Sequence, residues 1–415
     1  IHGAITVDYP ESQVIEHPFV QRLRGIRQLG FSHLPFPGAT HTRFNHSLGV
    51  MHVAGRAFDT CFRDKPFATR EAERNFRHCL RLAALCHDVG HAPFSHAAEF
   101  AMPSLRALGI RCYDQQKVAH RLDKRATHED YTIAILTQSS LADTIRENFG
   151  FEPEHVARLV TNEVSVGDDF FVHQGFDLQY LLAQIISSDM DADRLDYLVR
   201  DSYFTGASYG QTDVDWLVSN MARHIDEKGR VSLALDKRAL FAFDDFIISR
   251  FHMFVMVYFH QKSVAYEEML KLYMRSSECT YALPADLVRY RATDDAELLA
   301  HLRGSENEWA RRIVSFDPLK VVFQVQGSDA DVELSEQKKF LESAGIQAVS
   351  VPGHGVLYNQ KKTGMPPIYV VDRNRKKVEP LDQATVIFER YQDERCIGRL
   401  YVRKEDQERA KGLLD

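Results

Sequence analysis

Residues 86–96 read CHDVGHAPFSH, and the interpretation of the whole chain starts from them. They follow the apolar run LRLAALC at 80–86, whose spacing predicts a buried helix that ends before Gly90. His87 and Asp88 therefore end a buried helix, where a charged pair is costly unless it coordinates a cation or pairs with another charge. Imidazole and carboxylate ligands hold Mn, Fe or Zn, and carboxylates also hold Mg. The stretch therefore indicates a metal site.

Two further segments carry the same ligand types, RFNHSLG at 43–49 and DADRLDY at 191–197. Taken singly, each has an ordinary explanation. His46 could be a helix cap or a surface residue, an adjacent His-Asp pair arises by chance, and 191–197 could be a solvated helix face. All three segments occur in order, each within apolar helical sequence. This combination favours one shared site.

The composition limits the class of protein. The 415 residues carry 51 Lys and Arg against 58 Asp and Glu, a net charge of −7, which argues against a general nucleic-acid binder. No apolar run approaches the ~20 residues that cross a bilayer, so no membrane partner is expected. Six cysteines without a Cys-x-x-Cys pair favour reduced thiols and a cytoplasmic location. The first residue is Ile rather than Met, so we expect the natural start to lie upstream.

The pattern along the chain predicts a mostly α protein with a small C-terminal α+β appendage. Apolar spacing predicts helices over 11–30, 44–62, 70–88, 129–150, 152–161, 177–201, 213–224, 237–275, 284–303 and 335–344. Alternating apolar runs predict strands that begin at 320, 368, 385 and 398. A stretch at 104–125 is predicted to be a surface insertion. We therefore expect a helical body over 1–315, with its core motifs at 21–201, and an α+β region over 316–415.

The order His46, His87-Asp88, Asp193 resembles the H…HD…D signature of the HD-domain metal-dependent phosphohydrolases. The surrounding segments QRLRGIRQLG (21–30), FPGATHTRFNHSLGV (36–50) and HDVGHAPFSH (87–96) resemble the deoxynucleoside triphosphate triphosphohydrolase branch. That branch includes bacterial dNTPases and dGTPases and the human SAM- and HD-domain restriction factor. The resemblance covers roughly residues 1–275.

The resemblance implies a metal site and a reaction. His46, His87, Asp88 and Asp193 would bind a divalent ion, with Mn, Fe, Mg, Zn and Ni all open as its identity. Four nitrogen and oxygen ligands leave positions for water and a phosphate oxygen, as a catalytic metal requires. The implied reaction is attack of an activated water on the α-phosphorus of a dNTP, which gives a deoxynucleoside and tripolyphosphate.

The resemblance also implies roles for residues around the metal. His91, Glu99 and His128 would line the phosphates or move protons, and His96 would face the leaving oxygen. Histidine suits this work because its ordinary pKa lies near 6.5. The residues that match substrate-binding positions are Arg43 and Arg194 for the phosphates and Gln28, Leu29, Tyr197, Asp201 and Tyr258 for the deoxyribose.

The sequence leaves two other functions open. The chain could be an HD phosphohydrolase that acts on another nucleotide, such as a nucleoside monophosphate or an alarmone, or a silent nucleotide-binding HD protein. The resemblance implies a homo-oligomer, either a dimer or a tetramer. Gln21 and Arg24 match positions that bind effector nucleotides in relatives, but Arg22 and Arg24 could equally be salt-bridge partners on a helix surface. Regulation is therefore left open.

Overall fold

The structure is a computed structural model that describes residues 1–327, 329–355, 366–385, 387 and 395–415. Its architecture is mostly α, as predicted. The helices are α1 (Tyr9–Ile15), α2 (Pro18–Gln21), α3 (Arg43–Cys61), α4 (Arg70–Cys86), α5 (Leu105–Leu108), α6 (Gln115–Val118), α7 (His128–Gln138), α8 (Ser140–Asn148), α9 (Pro153–Val160), α10 (Gln179–Ile186), α11 (Ala192–Thr205), α12 (Val214–Ser219), α13 (Leu240–Met253), α14 (Gln261–Arg275), α15 (Leu287–Tyr290), α16 (Asp295–Arg303), α17 (Glu308–Val314), α18 (Ala330–Ser343), α19 (Leu381–Ala384) and α20 (Gln407–Leu414). Short 3-10 turns lie between them, and Phe254–Tyr258 form a π-helix between α13 and α14.

Among the described residues, three small sheets complete the fold. The strands are β1 (Val172–His173), β2 (Phe176–Asp177), β3 (Met221–Ile225), β4 (Val231–Asp236), β5 (Lys320–Gln326), β6 (Val349–Gly355), β7 (Tyr369–Asp372), β8 (Lys377–Pro380) and β9 (Arg395–Val402). β1 pairs with β2, a second sheet has the order β3-β4-β7-β8, and a third has the order β5-β9-β6. Because β4 pairs in parallel with β7, residues on both sides of position 315 share one sheet. The division at 315 stays a prediction.

Several predicted helices are shorter than their apolar spacing suggested. The run at 11–30 divides into α1, α2 and two 3-10 turns, and the run at 177–201 divides into α10 and α11. In the second case Asp191 caps a new helix, because its side chain accepts a hydrogen bond from the Arg194 backbone. Apolar periodicity continues across such a break, so it did not signal the cap. The predicted strand at 385–389 falls almost entirely outside the described residues.

Residues 104–125 are also more buried than predicted. Leu105, Tyr113 and Val118 belong to the main hydrophobic core, and the Tyr113 hydroxyl donates to Asp130 Oδ1 at 2.7 Å. The segment therefore packs against α7 rather than projecting from the surface.

Helix α3 packs against both α4 and α11, which brings the three segments singled out in the sequence together. Two glycines of α3 allow this close approach. A Cβ on Gly55 would lie 2.7 Å from Arg81 Nη1 in α4, and a Cβ on Gly49 would lie 1.8 Å from Asp196 Oδ1 in α11. A side chain at either position would have to displace these groups or separate the helices. No described helix is long and apolar enough to cross a membrane.

A buried ion pair fastens the N-terminal segment to this helical core. Glu11 in α1 and Arg81 in α4 are both buried, with Arg81 Nη2 2.9 Å from Glu11 Oε2. The same nitrogen donates to the Thr6 carbonyl at 3.0 Å. Without the Glu11 carboxylate, the Arg81 guanidinium would be a buried charge without a counter-ion.

We expect Glu11→Ala to lower the free energy of unfolding by about 3–5 kcal/mol, because it leaves a buried cation without its partner. Asp123→Ala is the matched control, since Asp123 pairs with Arg106 on the surface with both side chains exposed. Loss of an exposed pair costs about 0–1 kcal/mol. Urea denaturation measures both changes, and equal losses in the two variants would contradict the assignment.

Candidate metal centre and adjoining cavity

The four predicted metal ligands converge from three helices. His46 lies in α3, His87 and Asp88 directly follow α4, and Asp193 lies in the first turn of α11. His46 Nε2 lies 2.9 Å from Asp193 Oδ1 and 3.9 Å from Asp88 Oδ2. His87 Nε2 lies 3.5 Å from Asp88 Oδ1 and 3.6 Å from Asp193 Oδ1. The two imidazoles and two carboxylates thus surround a common point.

The Nε2 atoms of His46 and His87 are buried and make no hydrogen bond to any described residue. Their other ring nitrogens are occupied: His46 Nδ1 donates to Asp196 Oδ2 at 2.8 Å, and His87 Nδ1 donates to the Ala84 carbonyl at 2.8 Å. This arrangement leaves both Nε2 atoms facing the carboxylates, as in metal sites whose histidines are oriented from behind. The donor set fits a divalent metal ion.

The charge of the centre points to the same conclusion. Burial alone would lower the pKa of His46, but the neighbouring carboxylates of Asp193 and Asp196 raise it to about 10. Burial raises the pKa of Asp88, but His87, Arg43 and His46 outweigh it and hold that pKa well below its ordinary value. The centre therefore attracts a cation, and a divalent ion would compete with the proton on His46.

Asp196 is a residue of this site that the sequence analysis did not single out. It is fully buried and accepts hydrogen bonds from His46, from Arg200 Nε and Nη2 at 2.8 Å each, and from His2 Nε2 at 2.7 Å. Burial would raise its pKa, but these donors hold the pKa well below the usual range. Because Asp196 lies one helical turn after Asp193, the sequence could have indicated that both carboxylates face the same site. Asp196 remains an anion that fixes the orientation of His46.

We expect Gly49→Ala to weaken metal binding about 10- to 100-fold, the usual loss when a residue behind a metal ligand is disturbed. The new methyl group would displace Asp196, because a Cβ at this position lies 1.8 Å from its carboxylate. A chelator competition titration measures the affinity.

Gly412→Ala is the control, since a Cβ on this helical glycine meets no atom within 4 Å. Its metal affinity should equal that of the unmodified chain. Unchanged affinity in Gly49→Ala would show that Asp196 does not orient a metal ligand.

The four predicted catalytic residues form one cluster next to the centre. Glu99 Oε1 accepts hydrogen bonds from His96 Nδ1 at 3.0 Å and from His128 Nδ1 at 2.6 Å. His91 stacks on His128 with 4.1 Å between ring centroids, and its Nε2 lies 4.0 Å from Asp88 Oδ1. The cluster is therefore continuous with the metal centre.

The histidines of this cluster differ in charge. Burial would raise the pKa of Glu99, but the hydrogen bonds from His128 and His96 lower it to about 2. Burial would lower the pKa of His128, but the ionised Glu99 raises it above its ordinary value. His91 makes no hydrogen bond to a carboxylate, and burial together with the charge of Arg43 drives its pKa well below 6.5. His128 is therefore protonated more readily than the adjacent His91.

We expect Glu99→Gln to shift the alkaline limb of the kcat–pH profile to lower pH. The Glu99 carboxylate raises the pKa of His128, and the protonated form of His128 is lost as the pH rises through that pKa. Because Glu99→Gln removes the carboxylate, the pKa of His128 falls and the loss begins at a lower pH. Glu129→Gln is the comparison, because this exposed residue makes no hydrogen bond to His128 in the described structure and acts on it only through its charge, so a smaller shift is expected. An alkaline limb that does not move in Glu99→Gln would exclude His128 as the group that sets it.

A cavity of about 330 Å³ adjoins these groups. Six of the seven predicted substrate-binding residues line it together with His96, and these six are Gln28, Leu29, Arg43, Tyr197, Asp201 and Tyr258. Arg194 is not part of this lining. Its Nη1 donates to the Ser188 carbonyl at 2.6 Å and contacts Asp191, so the side chain turns back to the cap of its own helix.

Arg43 connects the centre with the cavity. Its guanidinium pairs with Asp88 and donates from Nη2 to Ser95 Oγ at 2.9 Å. The opposite wall is held by Asp201, which accepts from His41 Nε2 at 2.8 Å and from Tyr258 Oη at 2.9 Å. The sequence analysis gave His41 no role, although it lies within the motif at 36–50. The Oε1 atom of Gln28 is buried without a described hydrogen-bond partner, so a ligand could donate a hydrogen bond to it.

Comparison with known families agrees with this geometry. The HD domain model matches residues 43–201, which contain all four predicted metal ligands, and the model of the HD-associated region matches residues 212–350. The chain belongs to the HD-domain family.

Individual relatives differ in what is known of them. The chain is 35% identical over 251 residues to the uncharacterised protein YwfO of Bacillus subtilis, covering 60% of this chain and 48% of YwfO. It is 31% identical over 219 residues to the human deoxynucleoside triphosphate triphosphohydrolase SAMHD1, covering 50% of this chain and 32% of that protein. The chain thus spans half or less of the length of either relative. A hypothetical protein from Aquifex aeolicus shares the fold, with a TM-score of 0.75, 24% identity, and coverage of 99% of this chain and 97% of the other.

Proposed function

We propose that the chain hydrolyses deoxynucleoside triphosphates at the α-phosphorus, releasing a deoxynucleoside and tripolyphosphate. The observation that carries this proposal is the junction between the candidate metal centre and the cavity lined by Gln28, Leu29 and Tyr197. The similarity to human SAMHD1, whose name states this activity, adds support over half of the chain.

His46, His87, Asp88 and Asp193 would hold the metal ion. A divalent ion held there lowers the pKa of a water and neutralises charge that develops on the phosphoryl oxygens. Arg43 adds a fixed positive charge at the mouth of the centre, where Ser95 Oγ and Asp88 hold its guanidinium. This cation would orient the phosphate chain.

The histidine–glutamate cluster would manage the protons of the reaction. The attacking water forms a bond to the α-phosphorus while the bond from phosphorus to the 5′ oxygen breaks. Neutral His91 would accept a proton, protonated His128 would stabilise the charged phosphates, and His96 would donate a proton to the departing 5′ oxygen. Glu99 keeps His96 and His128 in position through Nδ1, leaving their Nε2 atoms for substrate.

The cavity wall would distinguish deoxyribose from ribose. Leu29 presents an apolar surface, and a buried 2′-hydroxyl against it would lack a hydrogen-bond partner. Gln28 and Asp201 would hold the 3′-hydroxyl, and Tyr197 would pack on the sugar ring. Asp201 already accepts two hydrogen bonds, yet a carboxylate has lone pairs for more.

We expect purified protein with Mn²⁺ or Mg²⁺ to convert dNTPs to deoxynucleoside and tripolyphosphate. The matching NTPs should react about 5- to 150-fold more slowly, because an unpartnered buried hydroxyl costs about 1–3 kcal/mol. Chromatography of the products measures both rates. Equal turnover of GTP and dGTP, or stepwise release of phosphate, would instead favour an HD phosphohydrolase that acts on another nucleotide.

The same preparation tests the metal ligands. His87→Ala should lose both bound metal and activity, whereas the exposed His120→Ala should keep both. Stoichiometric metal in His87→Ala and in Asp193→Ala would contradict the proposed centre.

A further inference from the structure

Glu267 is an acidic residue of the cavity that none of the roles above uses. It lies on α14, which packs against residues 30–33 and 95–101, and its side chain lines the cavity together with Ser32 and Tyr258. One turn earlier, Ser263 is fully buried, and its hydroxyl is hydrogen-bonded to Ser32 Oγ at 3.0 Å. This contact fixes the face of α14 that carries Glu267 against the cavity wall.

The carboxyl group of Glu267 makes no hydrogen bond or ion pair with any described residue. Lys271, whose charge acts on Glu267 from the same helix, is engaged with the adjacent Glu268, with 2.7 Å between Nζ and Oε1. Burial raises the pKa of Glu267 to about 7. A mostly buried acid that faces a cavity without a protein partner is typical of a group that a ligand completes.

The chemistry of a nucleotide limits what can lie against this carboxyl. Phosphate oxygens are excluded, because they carry the same charge and the cations that suit them, Arg43 and His128, lie on the side of the metal centre. An ionised carboxylate only accepts hydrogen bonds, so it needs donors. Among the bases, guanine alone presents two adjacent donors, the N1–H and the 2-amino group, which match two carboxylate oxygens. Adenine and cytosine place an acceptor beside their amino group, and thymine flanks its N3–H with two carbonyls.

We propose that Glu267 is a base-reading residue that favours guanine by accepting hydrogen bonds from its N1–H and its 2-amino group. This inference rests on the proposed function, since it places a nucleotide in the cavity. The carboxylate contributes nothing to bond cleavage and acts only through the choice of base.

Deoxyinosine triphosphate is the matched probe, because it differs from dGTP only by the missing 2-amino group. We expect the unmodified chain to use dGTP with a kcat/KM about 10- to 150-fold above that for dITP, the range for losing a hydrogen bond to a charged acceptor. Glu267→Gln should reduce this ratio to near one.

Glu268→Gln is the control, since Glu268 is adjacent in sequence but pairs with Lys271. It should retain the dGTP to dITP ratio. Thermal unfolding of both variants reports whether they fold. Binding titrations of dGTP and of dITP in the presence of Ca²⁺ give the dGTP to dITP ratio without turnover.

The outcomes separate this inference from the proposed function. Hydrolysis of dNTPs with a dGTP to dITP ratio that Glu267→Gln does not change would overturn the base-reading role alone. An equal loss with all dNTPs would assign Glu267 to the sugar or to packing and also overturn it. Failure of the unmodified chain to hydrolyse any dNTP would overturn the proposed function instead.

Discussion

The candidate site depends on the hydrogen bond between His46 Nδ1 and Asp196. Four polar ligands at the junction of three helices can coexist in a buried setting only if each is held from behind. Asp196 holds His46, and Arg200 and His2 hold Asp196 in turn. The Ala84 carbonyl does the same for His87. Because α11 carries both Asp193 and Asp196, the packing of α11 on α3 positions a ligand and its support together.

The second constraint is electrostatic. Arg43 pairs with Asp88 at the mouth of the centre, Glu99 favours the protonated form of His128, and burial favours the neutral form of the stacked His91. Identical side chains thus acquire different protonation states from their neighbours. This separation is what acid and base catalysis in one site requires. It arises from packing and hydrogen bonds, so it also persists in the absence of substrate.

The sequence predicted the helical class, the convergence of the three ligand segments and most of the cavity lining. These features depend on spacing within helices and on a resemblance carried by long motifs. It did not predict Asp196 or His41 as supports, because their roles come from contacts across 150 and 160 positions of sequence. It gave Arg194 to the phosphates, whereas the structure turns this side chain to Asp191 in its own helix cap. The sequence also did not predict the β3–β4 hairpin, because the predicted helix at 213–224 extended over most of β3.

The distribution of charge in the cavity follows from the same packing. Its inner end is cationic, because Arg43 and the histidine cluster lie next to the metal ligands. Its wall on α14 carries a carboxyl that the protein leaves without a partner. A nucleotide has the complementary distribution, with anionic phosphates at one end and neutral hydrogen-bond donors on its base at the other. A cavity with this polarity orients such a ligand before any bond is broken, and reversing the ligand would place phosphate against Glu267 and base donors against cations. If the proposed function holds, the fold sets the direction of nucleotide binding by placing Arg43 and Glu267 at different parts of the cavity.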